Sequence, residues 1–278
     1  DRVVVYKTFD NYGNDEMQLQ YYISDVDKRI ELYIMGIGFV VLVLLIARKN
    51  GLKALFALIV TVAFIIQVFI PAIFKGYSPI LFAVLTVVFS SLVTIYFTVG
   101  TSKKFFVALL GVIGGVLIAG VLSYIFTYRM RLNGFLDSDL LASAYLLKNI
   151  KMRELIPAGV IIGSLGAVMD VAVSIASSIN ELHETDPNMS KKSMFTSALN
   201  IGNDIIGTMI NTLILAYIAS SIFTLLLIYI QANDYPLIRT LNFQDIAVEI
   251  MRSICGSIGI LIAVPLTAYI GTLIYKKK

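Results

Sequence analysis

The sequence predicts an all-α fold: a polytopic transmembrane bundle of about seven spans, with re-entrant or interfacial helices and a short N-terminal extracytoplasmic β-hairpin. Three observations predict it. Mean hydropathy is +0.85, only 14% of the residues are charged, and apolar runs of about 20 residues recur, the length that crosses a hydrocarbon core of about 30 Å. Lipid already solvates apolar faces, so helices here must associate through small residues and polar contacts. The net charge of +4 does not argue for nucleic acid as a partner, because the basic residues sit mostly at helix ends and read as topology signals. Cys255 stands alone and forms no intrachain disulfide. The single His183 excludes a zinc site built from several histidines, and His183-Glu184 lacks the second histidine of a metalloprotease helix. No cofactor is expected. The chain begins at Asp1 without Met or a signal peptide and reads as trimmed, or as starting inside a longer protein.

Residues 2–9 and 17–24 are β-prone runs around the turn-rich DNYGND, which predicts a hairpin. Residues 1–29 are therefore assigned to an extracytoplasmic β-rich segment, the end of a larger domain, and residues 30–278 to the helical membrane domain. The spans follow in order at about 30–47, 54–74, 79–99, 105–126 and 155–178. Basic residues 48–53 and 101–104 close the first and third. Gly111, Gly114, Gly115 and Gly120 in the fourth let another backbone approach. Residues 127–153, with Arg129, Arg131, Lys148, Lys151 and Arg153 among Leu140, Leu141, Tyr145 and Leu146, read as an amphipathic helix lying in the interface. After a loop at 181–192, residues 193–231 exceed one span. They predict a short polar or re-entrant piece and then a sixth span at about 206–230. The seventh is about 246–275, before Lys276–Lys278. Seven spans place the N-terminus outside and the C-terminus in the cytoplasm. Residues 48–53, 101–104 and 181–192 then share the cytoplasmic side, as the positive-inside rule favours, while 127–153 lies outside against it. Pro-then-Gly echoes at 70–76, 156–163 and 264–271 match the helix breaks that transporters place at binding sites, and match chance as well.

Polar residues inside the apolar helices carry the functional reading. On the fifth span Gly163, Gly166, Asp170, Ser174, Ser177 and Glu181 recur every three or four residues and share one face. On the sixth, Asn200, Asp204, Thr208 and Asn211 do the same, with Asn203, Gly207 and Asn211 as an adjoining row and Thr212 beside it. An acid in hydrocarbon costs about 2.5–3.5 kcal/mol on insertion scales, so it needs a partner, a cavity or a role. Asp170 holds a cation if ionised and carries a proton if neutral. Two such consecutive helices predict an antiparallel pair whose polar faces meet, with Gly163, Gly166 and Gly207 as packing positions. Together they offer hard oxygen ligands for monovalent cations, Mg²⁺ or Mn²⁺, with no metal assigned. Three readings compete: an ion or solute path, cross-helix hydrogen bonds alone, and catalysis. Asp204 also fits a helix start at the water surface. Glu249 and Arg252 fit an i,i+3 pair, either facing inward or at the membrane edge.

The stretches GSLGAVMDVAVSIASSINEL (163–182) and NIGNDIIGTMINTLILAYIASS (200–221) resemble the signature of the YibE/F family of bacterial multi-pass membrane proteins. RKNGLKAL (48–55), IPAIFKGYSPI (70–80) and SIGILIAVPLTAYI (257–270) support the resemblance, which covers about residues 25–275. Asn203 departs from it, where a basic residue as in NIGRD is expected, so Asp204 loses a local partner. The resemblance implies a bacterial plasma membrane, a permease-like role, a related subunit encoded alongside, and an extracytoplasmic domain before the first span. A permease subunit with its path along the fifth and sixth helices is the first functional reading. A scaffold or assembly partner, bound to the related subunit or to itself as a homo-oligomer, is the alternative. An enzyme is not expected. Asp170 in MDVAV and Asp204 in NDIIG lack the YD and GxGD settings of intramembrane aspartyl proteases, and no Walker A sequence is present.

Overall fold

The computed structural model describes residues 3–11, 17–134, 149–231 and 236–275. The chain divides into two compact units, Asp1–Leu55 and Phe56–Lys278.

In the first unit, β1 (Val3–Asn11) pairs antiparallel with β2 (Met17–Val26), Val3 lying opposite Val26 and Asn11 opposite Met17. A two-stranded ribbon is only marginally stable in water. Two strands make no β domain, and the fold class rests on the helices. Helix α1 (Arg29–Phe64) follows. Asp27 accepts a hydrogen bond from the Arg29 amide at 3.1 Å and two from its guanidinium at 2.8 Å. The guanidinium beside it holds the Asp27 carboxyl down at about 2.

The basic residues 48–53, expected as a loop, lie within this helical segment. The regular helix is interrupted at Arg48, whose φ of 49° and ψ of −128° are foreign to helices and uncommon for any side chain with a Cβ. Gly51 belongs to the same break. A Cβ there would come within 2.7 Å of the Val43 carbonyl oxygen and 2.9 Å of the Ala47 Cβ. Among the described residues, six helical segments are long and apolar enough to cross a membrane, where the sequence predicts about seven, and the 46 residues Arg29–Phe74 count as one of them. At 1.5 Å per residue such a segment would be roughly 70 Å long if straight, over twice the hydrocarbon thickness.

In the second unit, a π-helical turn (Ile65–Phe69) leads into α2 (Ile70–Phe74), with Pro71 in its first turn, where the missing N–H costs nothing. Helix α3 (Pro79–Val99) runs between Pro79 and the positive-φ Gly100, as the sequence predicts. Thr61 hydrogen-bonds Ser90 at 2.9 Å, and Phe64 stacks on Phe89. Helix α4 (Lys103–Arg129) extends the predicted fourth span by a few residues at each end. The following turn includes Arg131 and Gly134 at positive φ. Most of the expected interfacial helix, including Leu140, Leu141, Tyr145, Leu146 and Lys148, falls outside the described residues.

Helix α5 (Met152–Thr185) runs well past the predicted end of its span. Helix α6 (Lys191–Ser220) is continuous, so the re-entrant piece expected after residue 193 is absent. The helix ends instead at Ser221, and α7 (Ile222–Gln231) starts directly after it. A short α8 (Leu237–Leu241) precedes α9 (Gln244–Tyr275). Pro157 and Pro265 sit inside α5 and α9, so at two of the three Pro-then-Gly echoes the helix runs on through the proline.

Helix α5 is the hub. Helices α3, α4, α9 and α6 all pack on it, and α3 also meets α4, α4 meets α9, and α9 meets α6. These four form an arc around α5, with α3 and α6 at its ends. Small residues bring the backbones together. Gly115 of α4 is closed in from three sides: a Cβ there would lie 2.8 Å from Ala263, 2.9 Å from Val168 and 3.0 Å from the Gly259 carbonyl oxygen. The packing role expected of the α4 glycines is what the structure shows.

Candidate functional site

Along α5, the residues that touch the arc are apolar and buried, among them Val160, Val168, Val171, Ala172, Ile175 and Ile179. What stays open is a narrow strip: Gly163, Gly166, Asp170 and Glu181 are exposed, and Ser174 and Ser177 are half-buried. This is the face that the three-and-four spacing picked out. Half-buried Gly159 adds one more turn to it.

Helix α6 buries Met194, Ala198, Gly202 and Leu213 against the bundle. Its other side carries Asn200, Asn203, Asp204, Gly207, Thr208, Asn211 and Thr212, all exposed. Helices α5 and α6 are consecutive and antiparallel, as expected, but the oxygen-lined chamber expected between them does not form. Their contact uses other residues. Ile175 packs toward Gly202, and the Tyr217 hydroxyl lies against Gly163. Gly166 and Gly207 face open space rather than a neighbouring helix, so of the three expected packing glycines only Gly163 meets a described side chain.

Packing partners fix the depth of this face. Val168 meets Gly115, next to the midpoint of the 27-residue α4, and Asp170 follows two residues later. Gly202 meets Val264 and Ile175, and Val264 adjoins Ala263, another partner of Gly115. Asp170 and Asp204 are therefore both near mid-depth of the bundle, and the reading of Asp204 as a helix start at the water surface is ruled out. The helix start is Ser190, whose hydroxyl oxygen accepts from the Ser193 amide at 3.1 Å.

The polar side chains of this face divide into two groups. Thr208 and Thr212 donate to the carbonyls of Ile205 and Thr208 at 2.8 Å and so satisfy themselves within the helix. Asn200, Asn203, Asp204, Asn211 and Asp170 have no side-chain hydrogen-bond partner among the described residues. A hydroxyl can bond its own backbone four residues back, whereas an amide or carboxylate at mid-depth needs an external partner.

At one end of the strip lies a second polar cluster. Arg252 donates to Glu249 at 2.7 Å, both about a quarter exposed. Next to them are Gly159, whose Cβ would lie 3.5 Å from the Arg252 guanidinium, and Tyr217. The Tyr217 hydroxyl, Glu249 Oε2 and Arg252 Nε are buried without a hydrogen-bond partner among the described residues. Met251 accepts from Thr127, close to the end of α4, so this pair sits toward one membrane face rather than at mid-depth. That is the membrane-edge reading of the pair. Tyr217 was not among the residues singled out from the sequence, although a phenol six residues beyond Asn211 on a polar helix was the available signal.

Among the described residues, no three His, Cys, Asp or Glu side chains gather to hold a metal ion. The face offers isolated carboxylates, amides and hydroxyls. Such a set can donate and accept hydrogen bonds.

No curated relative matches the chain, and no solved structure does. A family model does match, that of the YibE/F-like protein, over residues 35–277. The match takes in most of α1 and the whole of α2 to α9, and with them both polar faces and the Glu249–Arg252 pair. The chain belongs to the YibE/F-like family.

Proposed function

We propose that the chain is the membrane subunit of a permease for an ion or small polar solute, with its path along the open strip of α5 and past Tyr217 of α6. One observation carries this reading. The central helix is packed on every side except a strip of glycines, serines and one acid at mid-depth. Lipid is a poor neighbour for Asp170, so the strip is a place for water, a polar ligand or another polar surface. The path runs from Ser174 and Asp170 past Gly166 and Gly163 to Tyr217 and the Glu249–Arg252 pair.

The membrane is the bacterial plasma membrane in this proposal, with the N-terminus outside and the C-terminus in the cytoplasm. In this proposal the interruption at Arg48 is the turn between two crossings within Arg29–Phe74, which with the other five candidate spans makes seven. The experiment is flux into proteoliposomes. Asp170→Asn is expected to abolish it while the protein still inserts, and undiminished flux in that variant removes Asp170 from the mechanism.

The scaffold reading has its own support in the outward-facing amides of α6. On that reading Asp170→Asn leaves flux unaffected and weakens recovery of a bound membrane partner on purification.

A further inference from the structure

We propose that the exposed face of α6 is covered by α6 of a second copy of this chain, the two helices crossing in parallel at Gly207. This inference stands apart from the permease reading and holds for a scaffold equally.

Asn200, Asn203, Asp204 and Asn211 are exposed and have no partner among the described residues, on a helix long and apolar enough to cross a membrane. Hydrocarbon offers them no hydrogen bond, so a protein surface must. The surface they need is the one they form. A carboxamide both donates and accepts, so Asn203 pairs with Asn203 of a second copy and Asn211 with Asn211. An ionised carboxylate only accepts, and the row supplies donors for it: Asp204 of one copy takes amide N–H groups from Asn200 or Asn203 of the other. Gly207 lies between Asn203 and Asn211, four residues from each, with open space where a Cβ would be. Small residues at the centre of such a face let two backbones approach closely.

Symmetry fits the same positions. Two copies inserted in one orientation relate by a two-fold axis along the membrane normal, so their α6 helices run parallel and each residue on the axis meets itself. A row whose donors and acceptors come from the same few residues suits that arrangement. A partner with a lysine or arginine opposite Asp204 is a different proposal, and the test below separates the two.

The experiment is disulfide cross-linking of the full chain in its own membrane. Cys255 is buried and is replaced, Cys255→Ala, to give a background without other thiols. Gly207→Cys and, separately, Asn211→Cys are then oxidised with copper phenanthroline. Both are expected to give a band of twice the chain mass that reducing agent removes. Val121→Cys, on the exposed side of α4, is expected to stay monomeric. Light scattering of the wild-type protein in detergent is expected to give a dimer, and Asn203→Leu with Asn211→Leu a monomer. A monomeric band for both α6 cysteines, or a cross-link only to a different protein, overturns the proposal. Loss of flux bears on the permease reading alone, because cross-linking reports proximity whatever the protein transports.

Discussion

The phenolic oxygen of Tyr217 lies against the bare Cα of Gly163, so that a Cβ built there would be 2.9 Å away. This contact joins α6 to the open strip of α5. The obstructing atom is the tip of a side chain, so a methyl group displaces it cheaply and a branched side chain does not. Gly163→Ala is expected to lower stability by less than about 1 kcal/mol, and Gly163→Leu by about 1–3 kcal/mol, by overpacking. Removing the obstructing hydroxyl with Tyr217→Phe is expected to recover the loss in Gly163→Ala. Thermal unfolding in detergent of the two single variants and the double variant measures the coupling.

Gly115 presents the opposite case. Its neighbours are Ala263, Val168 and the Gly259 backbone, none of which can swing aside. Gly115→Ala is expected to cost about 3 kcal/mol, the upper end of overpacking, and to separate α4 from α9. Gly207→Ala, where nothing lies within 4 Å, is expected to leave the unfolding temperature of the single chain unchanged. The same methyl group thus separates a crowded from an open glycine on two helices of one bundle.

Punctuated elements were legible from sequence. Pro79 and Gly100 mark α3 to the residue, since proline pre-sets a helix start and glycine accepts the positive φ at its end. The polar faces of α5 and α6 were also legible, because helical period alone places Asp170 with Gly163 and Gly166. What they face was not. Period assigns residues to a common side of a helix and is silent on whether that side meets a neighbour. Asp170 was expected to look into α6; Ile175 and Tyr217 occupy that contact instead. The expected re-entrant piece failed for a related reason: Asn200, Asn203 and Asp204 lower the hydropathy of a segment that stays helical because its other side, through Met194, Ala198 and Gly202, is fully packed.

The Glu249–Arg252 pair is half-buried near one face, with Glu249 Oε2 and Arg252 Nε lacking further partners among the described residues. Removing one charge leaves the other desolvated, so Arg252→Met is expected to destabilise by about 2 kcal/mol, below the 3–5 kcal/mol of fully buried pairs because of residual exposure. Adding Glu249→Leu is expected to recover most of that loss. Unfolding of the single and double variants checks both. A permease role for the pair adds a second readout: the double variant regains stability without regaining flux.

The last prediction concerns the 46 residues from Arg29 to Phe74. A single crossing would hold Arg48, Lys49 and Lys53 near the middle of the hydrocarbon. At about 2.5–3.5 kcal/mol each on insertion scales, the three together cost about 9 kcal/mol. The unfavourable backbone angles at Arg48 cost only about 1–3 kcal/mol. On that comparison the expected arrangement is two crossings that turn at Arg48, by several kcal/mol. Cysteines replacing Lys53 and Lys75 test this in the Cys255→Ala background with a membrane-impermeant maleimide. Lys75→Cys is expected to react in intact cells, and Lys53→Cys only in inverted vesicles. A Lys53→Cys that reacts in neither would place the basic residues in the hydrocarbon and reduce the crossings to six, putting both ends of the chain on one side. Arg48→Gly, which removes the conformational cost without moving the turn, is expected to raise stability by about 1 kcal/mol and leave the labelling pattern unchanged.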